Sequence, residues 1–252
     1  MVNPPPVRAP ESCVGRLADT LARIPELEER IQEVARSVAG RIAFSTNLGL
    51  EDQAILHAIA ATGAAADVFT LDTGRHFPET LETLQRTEQR YGLRIRVIAP
   101  DARELEEQVA RDGVLGFRLA VEARKACCEV RKVRPLRRAL TGAVGWITGL
   151  RREQSVGRAD IAFAGWDADY CLLKLNPIAD WTADRLEAFI GTHDIPVNEL
   201  HARGFPSIGC QPCTRAIHPG EDIRAGRWWW ENEVGKECGL HTRRPARAEA
   251  GP

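Results

Sequence analysis

Residues 41–61 read RIAFSTNLGLEDQAILHAIAA and contain three local patterns in succession. The run from Ile42 to Phe44 predicts a short strand, Ser45 to Gly49 a polar turn, and Glu51 to Ala61 a helix. A strand that enters a helix through a short turn is the first half of a βαβ unit. Because such units pair their strands in parallel, this stretch predicts an α/β protein.

The same alternation continues toward the C-terminus. Further strands are predicted at 68–71, 95–98, 144–148 and 172–175, and further helices at 78–91, 101–111, 123–140 and 182–191. Apolar residues at helical spacing in 14–38 add two helices that Pro25 separates. We therefore expect a Rossmann-like parallel sheet, followed after Pro196 by an irregular segment rich in Gly, Pro and Trp.

Three regions are expected along the chain. With 252 residues, of which 44% are hydrophobic, the protein can bury a substantial core. Four prolines and no periodicity predict a flexible extension over residues 1–13. Residues 14–235 are expected to form a single α/β domain, and residues 236–252 a mobile tail rich in Arg.

Composition argues against several functions. The net charge of −1 at pH 7 offers no bulk attraction to nucleic acid or to a membrane surface. No apolar run approaches the roughly 20 residues that span a bilayer, so no membrane role is expected. The odd number of cysteines, seven, and the lack of a signal segment predict reduced thiols in a cytoplasmic protein.

Four of the cysteines form two tight pairs, Cys127 with Cys128 and Cys210 with Cys213. Adjacent residues on a helix point about 100° apart, so a vicinal pair serves one small tetrahedral ion only with strain. A cubane iron–sulfur cluster offers a separate iron to each thiolate, and four cysteines are its usual ligands. The pairs therefore favour an iron–sulfur cluster over structural zinc, while disulfides or ordinary buried cysteines stay open.

Three loops follow predicted strands, at the end where parallel sheets bind ligands. The first loop offers hydroxyl and backbone N–H groups at a helix start, which suit a phosphate or an ordinary helix cap. In the second, Asp72 and Thr73 form either a binding turn or a simple capped turn. The third ends in Arg151 and Arg152, which match phosphate or sulfate geometry or are solvated cations. The candidates in the first loop are Ser45, Thr46, Asn47 and Gly49.

Two features near the C-terminus carry candidate chemistry. Arg224 and Arg227 precede three tryptophans, and the net charge favours core packing of these indoles over stacking on nucleic acid. Cys238 stands between Lys236 and His241. Because nearby cations lower the pKa of a thiol, Cys238 is either an activated nucleophile or a spare thiol.

These motifs together resemble the assimilatory adenylyl-sulfate (APS) reductases of the phosphosulfate reductase family, over about residues 40–241. The motifs that carry the resemblance are Ser45-Thr-Asn-Leu-Gly-Leu-Glu-Asp52, Leu71-Asp-Thr-Gly-Arg75 with Pro78-Glu-Thr80, Cys127-Cys-Glu-Val-Arg-Lys132, Gly149-Leu-Arg-Arg-Glu-Gln154, Gly209-Cys-Gln-Pro-Cys-Thr-Arg215, Gly220-Glu-Asp-Ile-Arg-Ala-Gly-Arg-Trp228 and Lys236-Glu-Cys-Gly-Leu-His241. The set is far more specific than any one loop. The first loop departs from the family by reading Ser-Thr-Asn-Leu-Gly where Ser-Gly-Gly or Ser-Gly-Ala is more familiar.

The resemblance implies an adenine nucleotide alpha-hydrolase-like fold, with a nucleotide over the strand ends and a [4Fe–4S] cluster on the two cysteine pairs. It further implies that the Cys238 thiolate attacks the sulfur of adenosine 5'-phosphosulfate and that AMP leaves. A thioredoxin-like or glutaredoxin-like dithiol then releases sulfite. Whether the protein forms a homo-oligomer stays open.

The resemblance also implies roles for the cations. Lys132, Arg224 and Arg227 match the family's anion-binding residues, and His241 belongs to the Cys238 motif as a substrate-binding candidate. The Arg151–Arg152 pair is expected to steady the nucleotide. Because Lys132 follows Cys128 by four residues, helical geometry places it near both the cluster and the substrate.

Other functions remain as alternatives. The nearest is reduction of the 3'-phosphorylated nucleotide (PAPS), and the others are an ATP-dependent adenylyl or sulfur transferase and an iron–sulfur redox sensor. A 3'-phosphate requires cations of its own, yet the first loop has none and ends in Glu51 and Asp52. We therefore expect APS to be the preferred substrate.

Overall fold

The structure, a computed structural model, describes residues 11–231. Within them one sheet contains six strands: β1 Ile42–Thr46, β2 Asp67–Leu71, β3 Arg96–Ile98, β4 Gly145–Ile147, β5 Ala164–Asp167 and β6 Leu172–Leu175. The α-helices are α1 Glu11–Arg23, α2 Leu27–Ser37, α3 Leu50–Thr62, α4 Pro78–Tyr91, α5 Ala102–Asp112, α6 Val121–Cys128, α7 Arg134–Leu140 and α8 Ala183–Thr192. Among the described residues, no helix has the length and apolar character needed to cross a membrane.

The strands lie in the order β3-β2-β1-β4-β6-β5. Every neighbouring pair except the last is parallel, which confirms the predicted α/β class. The edge strand β5 pairs antiparallel with β6. This strand is not among those predicted from the sequence. Its residues, Ala-Gly-Trp-Asp, contain a glycine, which weakens a strand pattern, and the strand pairs where the turn over 168–171 folds the chain back.

The register brings the carboxyl ends of three strands to one edge of the sheet. Thr46, at the end of β1, pairs with Thr70 of β2. On the other side of β1, Phe44 pairs with Ile147, the last residue of β4. The loops after β1, β2 and β4 therefore meet at the edge where parallel sheets bind ligands.

Helices cover both faces of the sheet. On one face α1, α2, α3 and α8 pack around residues such as Ile31, Phe44 and Ile55. On the other face, Leu136 of α7 packs with Phe69 and with strand residues that alternate with the first set. Two-sided burial is the reason that the central strands are apolar runs without alternating polarity.

One helix predicted over 123–140 is divided in two. Between α6 and α7 the chain forms a π-helical turn, Glu129–Val133, directly after the vicinal cysteines. A π turn contains one more residue than an α-helical turn, so it rotates the following side chains about the helix axis relative to those before it. The position of Lys132 relative to Cys128 is therefore not that of an ideal α-helix.

Candidate active site

A cavity of about 230 Å³ opens at the carboxyl ends of the strands. Its wall on the sheet side includes Ser45, Thr46, Asn47, Gly49, Thr70, Thr73, Thr148 and Gly149. The opposite wall comes from the irregular segment after α8 and includes His201, Ser207, Cys210, Arg224 and Arg227. The structure thus brings five predicted residues of the first two loops into one cavity with two cations distant in sequence.

The loop after β1 is closed by its own side chains. Asn47 N–H donates to Asp52 Oδ2 (2.7 Å), and Leu48 N–H donates to Thr46 Oγ1 (2.9 Å). Gly49 N–H donates to Asn47 Oδ1 (2.7 Å). Three consecutive amides are therefore engaged inside the loop, and the hydroxyl oxygens of Thr46 and Ser45 accept bonds from Leu48 N–H and Trp146 Nε1, so each hydroxyl can still donate to a ligand.

Asp52 is the carboxylate beneath this loop and is only 7% exposed. Burial raises the pKa of Asp52 to about 7, while the bond from Asn47 N–H lowers it and Glu51 raises it. A Cβ atom at Gly149 would lie 2.3 Å from Asp52 Oδ1, so the loop after β4 can approach only as glycine. Asp52 therefore connects the first loop to the third.

The two arginines of the third loop lie outside the cavity wall. Arg151 is buried and donates to Glu51 Oε1 (3.1 Å) and to the Trp181 carbonyl (3.1 Å). Arg152 donates to the Ile161 carbonyl (2.9 Å). Neither residue lines the cavity, and their predicted contact with the nucleotide stays a prediction.

Asp72 also serves its own turn, because its Oδ1 accepts from Gly74 N–H (2.8 Å), and it does not line the cavity. Two residues that the sequence analysis did not select, Gln154 and Arg158, do line it. Gln154 Nε2 donates to Glu51 Oε1 (2.9 Å), the oxygen that Arg151 also contacts. Arg151 thus acts on the cavity through Glu51 and Gln154.

Cations line much of the cavity. They are Lys132, Arg158, Arg224 and Arg227. Arg227 is buried, and its Nη1 donates to the Ile208 carbonyl (3.2 Å) and the Ser207 hydroxyl (3.4 Å). Its Nε has no hydrogen-bond partner among the described residues. A wall of this kind suits a ligand with several anionic oxygens.

The four paired cysteines meet in a second, smaller cavity beside the first. All four thiols are buried and pack with Phe117 and Trp228. None of them is in a disulfide within the part of the chain that the structure describes. Lys132 and Cys210 line both cavities, so the two sites share a wall.

The spacing of the sulfur atoms distinguishes between kinds of metal site. Within residues 11–231, no three of the four sulfurs all lie within 4.8 Å of one another. A tetrahedral zinc ion with Zn–S bonds of about 2.3 Å would hold its sulfurs about 3.8 Å apart. The four buried thiols therefore do not form a ready-made tetrahedral site for one ion, and an all-cysteine set is the usual ligation of an iron–sulfur cluster.

The pKa shifts of the two thiols of the second pair, Cys210 and Cys213, have opposite directions. Burial raises the pKa of Cys213 to about 11, and neighbouring Cys210 adds to the rise. Burial also acts upward on Cys210, but Lys132, a hydrogen bond to Thr73 Oγ1 (3.3 Å) and Arg227 bring its pKa below the ordinary value. Groups of the shared wall therefore favour the thiolate of Cys210.

Three arginines beside the cysteines were not selected from the sequence. Arg131 donates to the Thr73 carbonyl (2.7 Å), and Arg124 forms a buried ion pair with Glu231 (2.9 Å). Arg75 lines the cysteine cavity with them. All three occur in or next to quoted motifs, but in a sequence a buried cation cannot be told from a surface one.

His201 is a further cavity residue that sequence reasoning missed. Neither ring nitrogen has a hydrogen-bond partner among the described residues. Burial lowers the pKa of His201, so the ring is neutral at pH 7 and offers one donor and one acceptor. A lone His in an irregular segment gives no sequence signal. Cys238 and His241 lie outside the described residues, and their roles stay predictions.

This combination defines an α/β protein with a mostly parallel sheet, a cation-lined cavity over its strand ends and a buried four-cysteine site beside it. The phosphoadenosine phosphosulfate reductase domain matches residues 41–216. The chain belongs to that family, which confirms the resemblance seen in the sequence.

Relatives of known name support the same placement. An adenosine 5'-phosphosulfate reductase of Agrobacterium fabrum is 51% identical over 222 residues, 88% of this chain and 85% of that protein. Another with this name, from Burkholderia cepacia, is 46% identical over 93% of this chain and 98% of its own length. The crystal structure of a phosphoadenylyl-sulfate reductase from Candida auris in a phosphate complex shares the fold, with a TM-score of 0.71 at 24% identity over 83% of this chain and 99% of that one.

Replacing Asp52 with Asn should flatten the dependence of stability on pH. The folded-state pKa of about 7 lies above the unfolded value of about 3.9, so wild-type stability falls as pH rises through this interval. The difference corresponds to at most about 4 kcal/mol. Denaturant unfolding at about pH 4 and about pH 8 measures it.

The matched control for this measurement is Asp184→Asn, which changes an exposed carboxylate. It should leave the wild-type pH dependence in place. If Asp52→Asn and the wild type show parallel stability profiles, the raised pKa of Asp52 is wrong.

Proposed function

We propose that this protein reduces adenosine 5'-phosphosulfate to sulfite and AMP as a step of assimilatory sulfate reduction. The observation that carries the proposal is the shared wall between the cation-lined cavity and the cysteine cavity, formed by Lys132 and Cys210. A phosphosulfate bound against this wall lies between nucleotide-binding loops and the cysteine site. The names of the relatives support the same activity.

The cavity supplies different groups to the two ends of the substrate. We assign the nucleotide to the loop hydroxyls of Ser45, Thr46 and Thr73, together with neutral His201. The phosphosulfate is assigned to the cations that line the cavity, Lys132, Arg158, Arg224 and Arg227. Arg151 supports the cavity through its bonds to Glu51, which Gln154 also contacts.

We place a [4Fe–4S] cluster on Cys127, Cys128, Cys210 and Cys213. Their burial and their all-thiol donor set support this assignment. When bound, the cluster is an electrostatic and structural partner of the substrate rather than an obligatory electron carrier. The surrounding cations balance the negative charge of four thiolates.

Cys238 is the proposed nucleophile, in the C-terminal segment over residues 236–252. Its thiolate attacks the sulfur of the phosphosulfate, so that an S–S bond forms while the S–O bond to the AMP phosphate breaks. The electron pair of the S–O bond leaves with AMP, and a sulfonate stays on Cys238. Lys132, Arg224 and Arg227 stabilise the charge on the phosphate and sulfonate oxygens, and His241 contacts the substrate from the tail.

A dithiol protein of the thioredoxin or glutaredoxin type supplies the two electrons. One of its thiolates attacks Sγ of Cys238, the S–S bond to the sulfonate breaks, and sulfite leaves. The second thiol of the reductant then resolves the mixed disulfide, which returns Cys238 as a thiol. Because this cycle requires reduced thiols, we propose that the protein works in the cytoplasm, with residues 14–235 as one domain after a short extension.

The acidic end of the first loop supports APS over PAPS as substrate. Glu51 and Asp52 both line the cavity. A 3'-phosphate adds nearly two negative charges at neutral pH, and these two acidic side chains supply no cation to balance them. Reduction of PAPS is the second candidate function, favoured by the fold shared with the Candida auris protein.

Substrate preference tests the proposed function directly. With reduced thioredoxin, kcat/KM for APS should exceed that for PAPS by at least about 100-fold, which corresponds to roughly 2.7 kcal/mol in transition-state binding. Sulfite release is measured side by side with the two nucleotides. Equal or reversed ratios would assign the protein to PAPS reduction.

Iron content tests the cluster. Protein purified without oxygen should contain about four iron atoms and four acid-labile sulfides per chain. Cys127→Ser or Cys210→Ser should lose iron and activity together, whereas the exposed thiols of Cys13 and Cys171 serve as controls whose replacement by Ser leaves the cluster in place. One zinc per chain and no iron would contradict the assignment.

A single turnover without reductant tests the nucleophile. Wild-type enzyme mixed with APS should release one AMP per site and retain a sulfonate on Cys238, detected by mass spectrometry of the peptide. Cys238→Ser should keep its iron and still bind nucleotide but form no adduct. Turnover by this variant near the wild-type rate would falsify the role of Cys238.

A further inference from the structure

Three potential metal ligands converge away from the active site. Glu28 of α2, His57 of α3 and His193 at the C-terminal cap of α8 each offer one ligand atom, and these atoms lie within 4.8 Å of one another. All three residues are half-buried, and none lines either cavity of the active site. The proposed reaction uses none of them.

The two imidazole rings are held by neighbouring side chains. Their centroids are 4.6 Å apart with an interplanar angle of 43°. Phe189 of α8 packs against both rings, at 5.7 Å from His57 and 4.4 Å from His193. This packing restricts the two rings to orientations in which both stay close to Glu28.

Tyr91 supports the ring of His57. Its Nδ1 lies 3.2 Å from Tyr91 Oη, so one ring nitrogen makes a hydrogen bond and the other remains for a metal. Metal-binding imidazoles commonly engage their second nitrogen in this way, which sets the tautomer and the ring orientation. The arrangement therefore resembles a supported ligand more than a chance contact of aromatic rings.

We propose that Glu28, His57 and His193 bind a divalent transition-metal ion of the zinc class. Two imidazoles and one carboxylate are ligands that zinc takes with bonds of about 2.0–2.2 Å, with water in the fourth position. Such bonds require ligand atoms about 3.4 Å apart, a small contraction from the present spacing. The harder, all-oxygen sites of calcium and magnesium do not match two nitrogen donors.

The ion would join α2, α3 and α8 on one face of the sheet. These helices pack against one another around the larger core cluster. Because the ion binds the folded arrangement of three separate elements, it stabilises the folded state by mass action. This role does not depend on the proposed reductase activity.

Calorimetric titration with Zn²⁺ tests the site. The full chain is used and its iron content is measured first, so that added zinc does not bind at the four clustered cysteines. Chelator-treated wild type should bind one Zn²⁺ per chain outside the cysteine site, and its thermal midpoint should rise by several degrees at about 100-fold excess over Kd. His57→Ala and His193→Ala should lose this binding step. Tyr91→Phe should weaken it by about 10-fold.

His218→Ala is the matched control, because His218 is exposed and remote from the three ligands in sequence. It should bind Zn²⁺ as the wild type does. Glu28→Gln is a conservative change of a half-buried side chain, so it tests the site even if the His variants misfold. It should also lose Zn²⁺ binding. No binding by the wild type, or unchanged binding in Glu28→Gln and His193→Ala, would overturn the proposal.

Discussion

Parallel pairing of β1 with β2 on one side and β4 on the other is the constraint on which the rest of the structure depends. It brings three loops to one edge of the sheet, although they are separated by long stretches of chain. The first of these loops satisfies its own amides through Thr46, Asn47 and Asp52. The strand ends therefore offer hydroxyl groups to a ligand, and the positive charge comes from elsewhere in the chain.

The positive charge of the cavity lies next to the cysteine site. Several cations crowd around the buried thiols, and the pKa of Arg131 is lowered by burial and by the nearby Arg75. Buried like charges are costly unless anions balance them, and in the proposed function the balancing anions are the thiolate ligands of the cluster. Because Lys132 and Cys210 belong to both cavities, loss of the thiolates would disturb the substrate-binding wall as well.

Helix α3 extends from the cavity, which its first turn lines, to the group formed by Glu28, His57 and His193. Its first turn carries Asp52, which bonds to the first loop, and Glu51, which Arg151 and Gln154 hold. Further along, His57 faces Tyr91 and His193. An interaction that fixes α3 against α2 and α8 thus also fixes the helix whose N-terminus forms part of the cavity.

The α/β class, most strand positions and the paired cysteines could be predicted from the sequence, because periodicity and close spacing depend only on the order of residues along the chain. The sequence also identified Lys132 beside the cysteines, but by α-helical spacing, whereas the structure has a π turn there. Tertiary structure alone decided that Arg151 is buried in bonds to Glu51 and Trp181, while His201 enters the cavity with both nitrogens lacking partners in the described chain. The physical reason is that burial and partner choice depend on contacts between residues distant in sequence, and a single cation or imidazole has the same sequence signal in every environment.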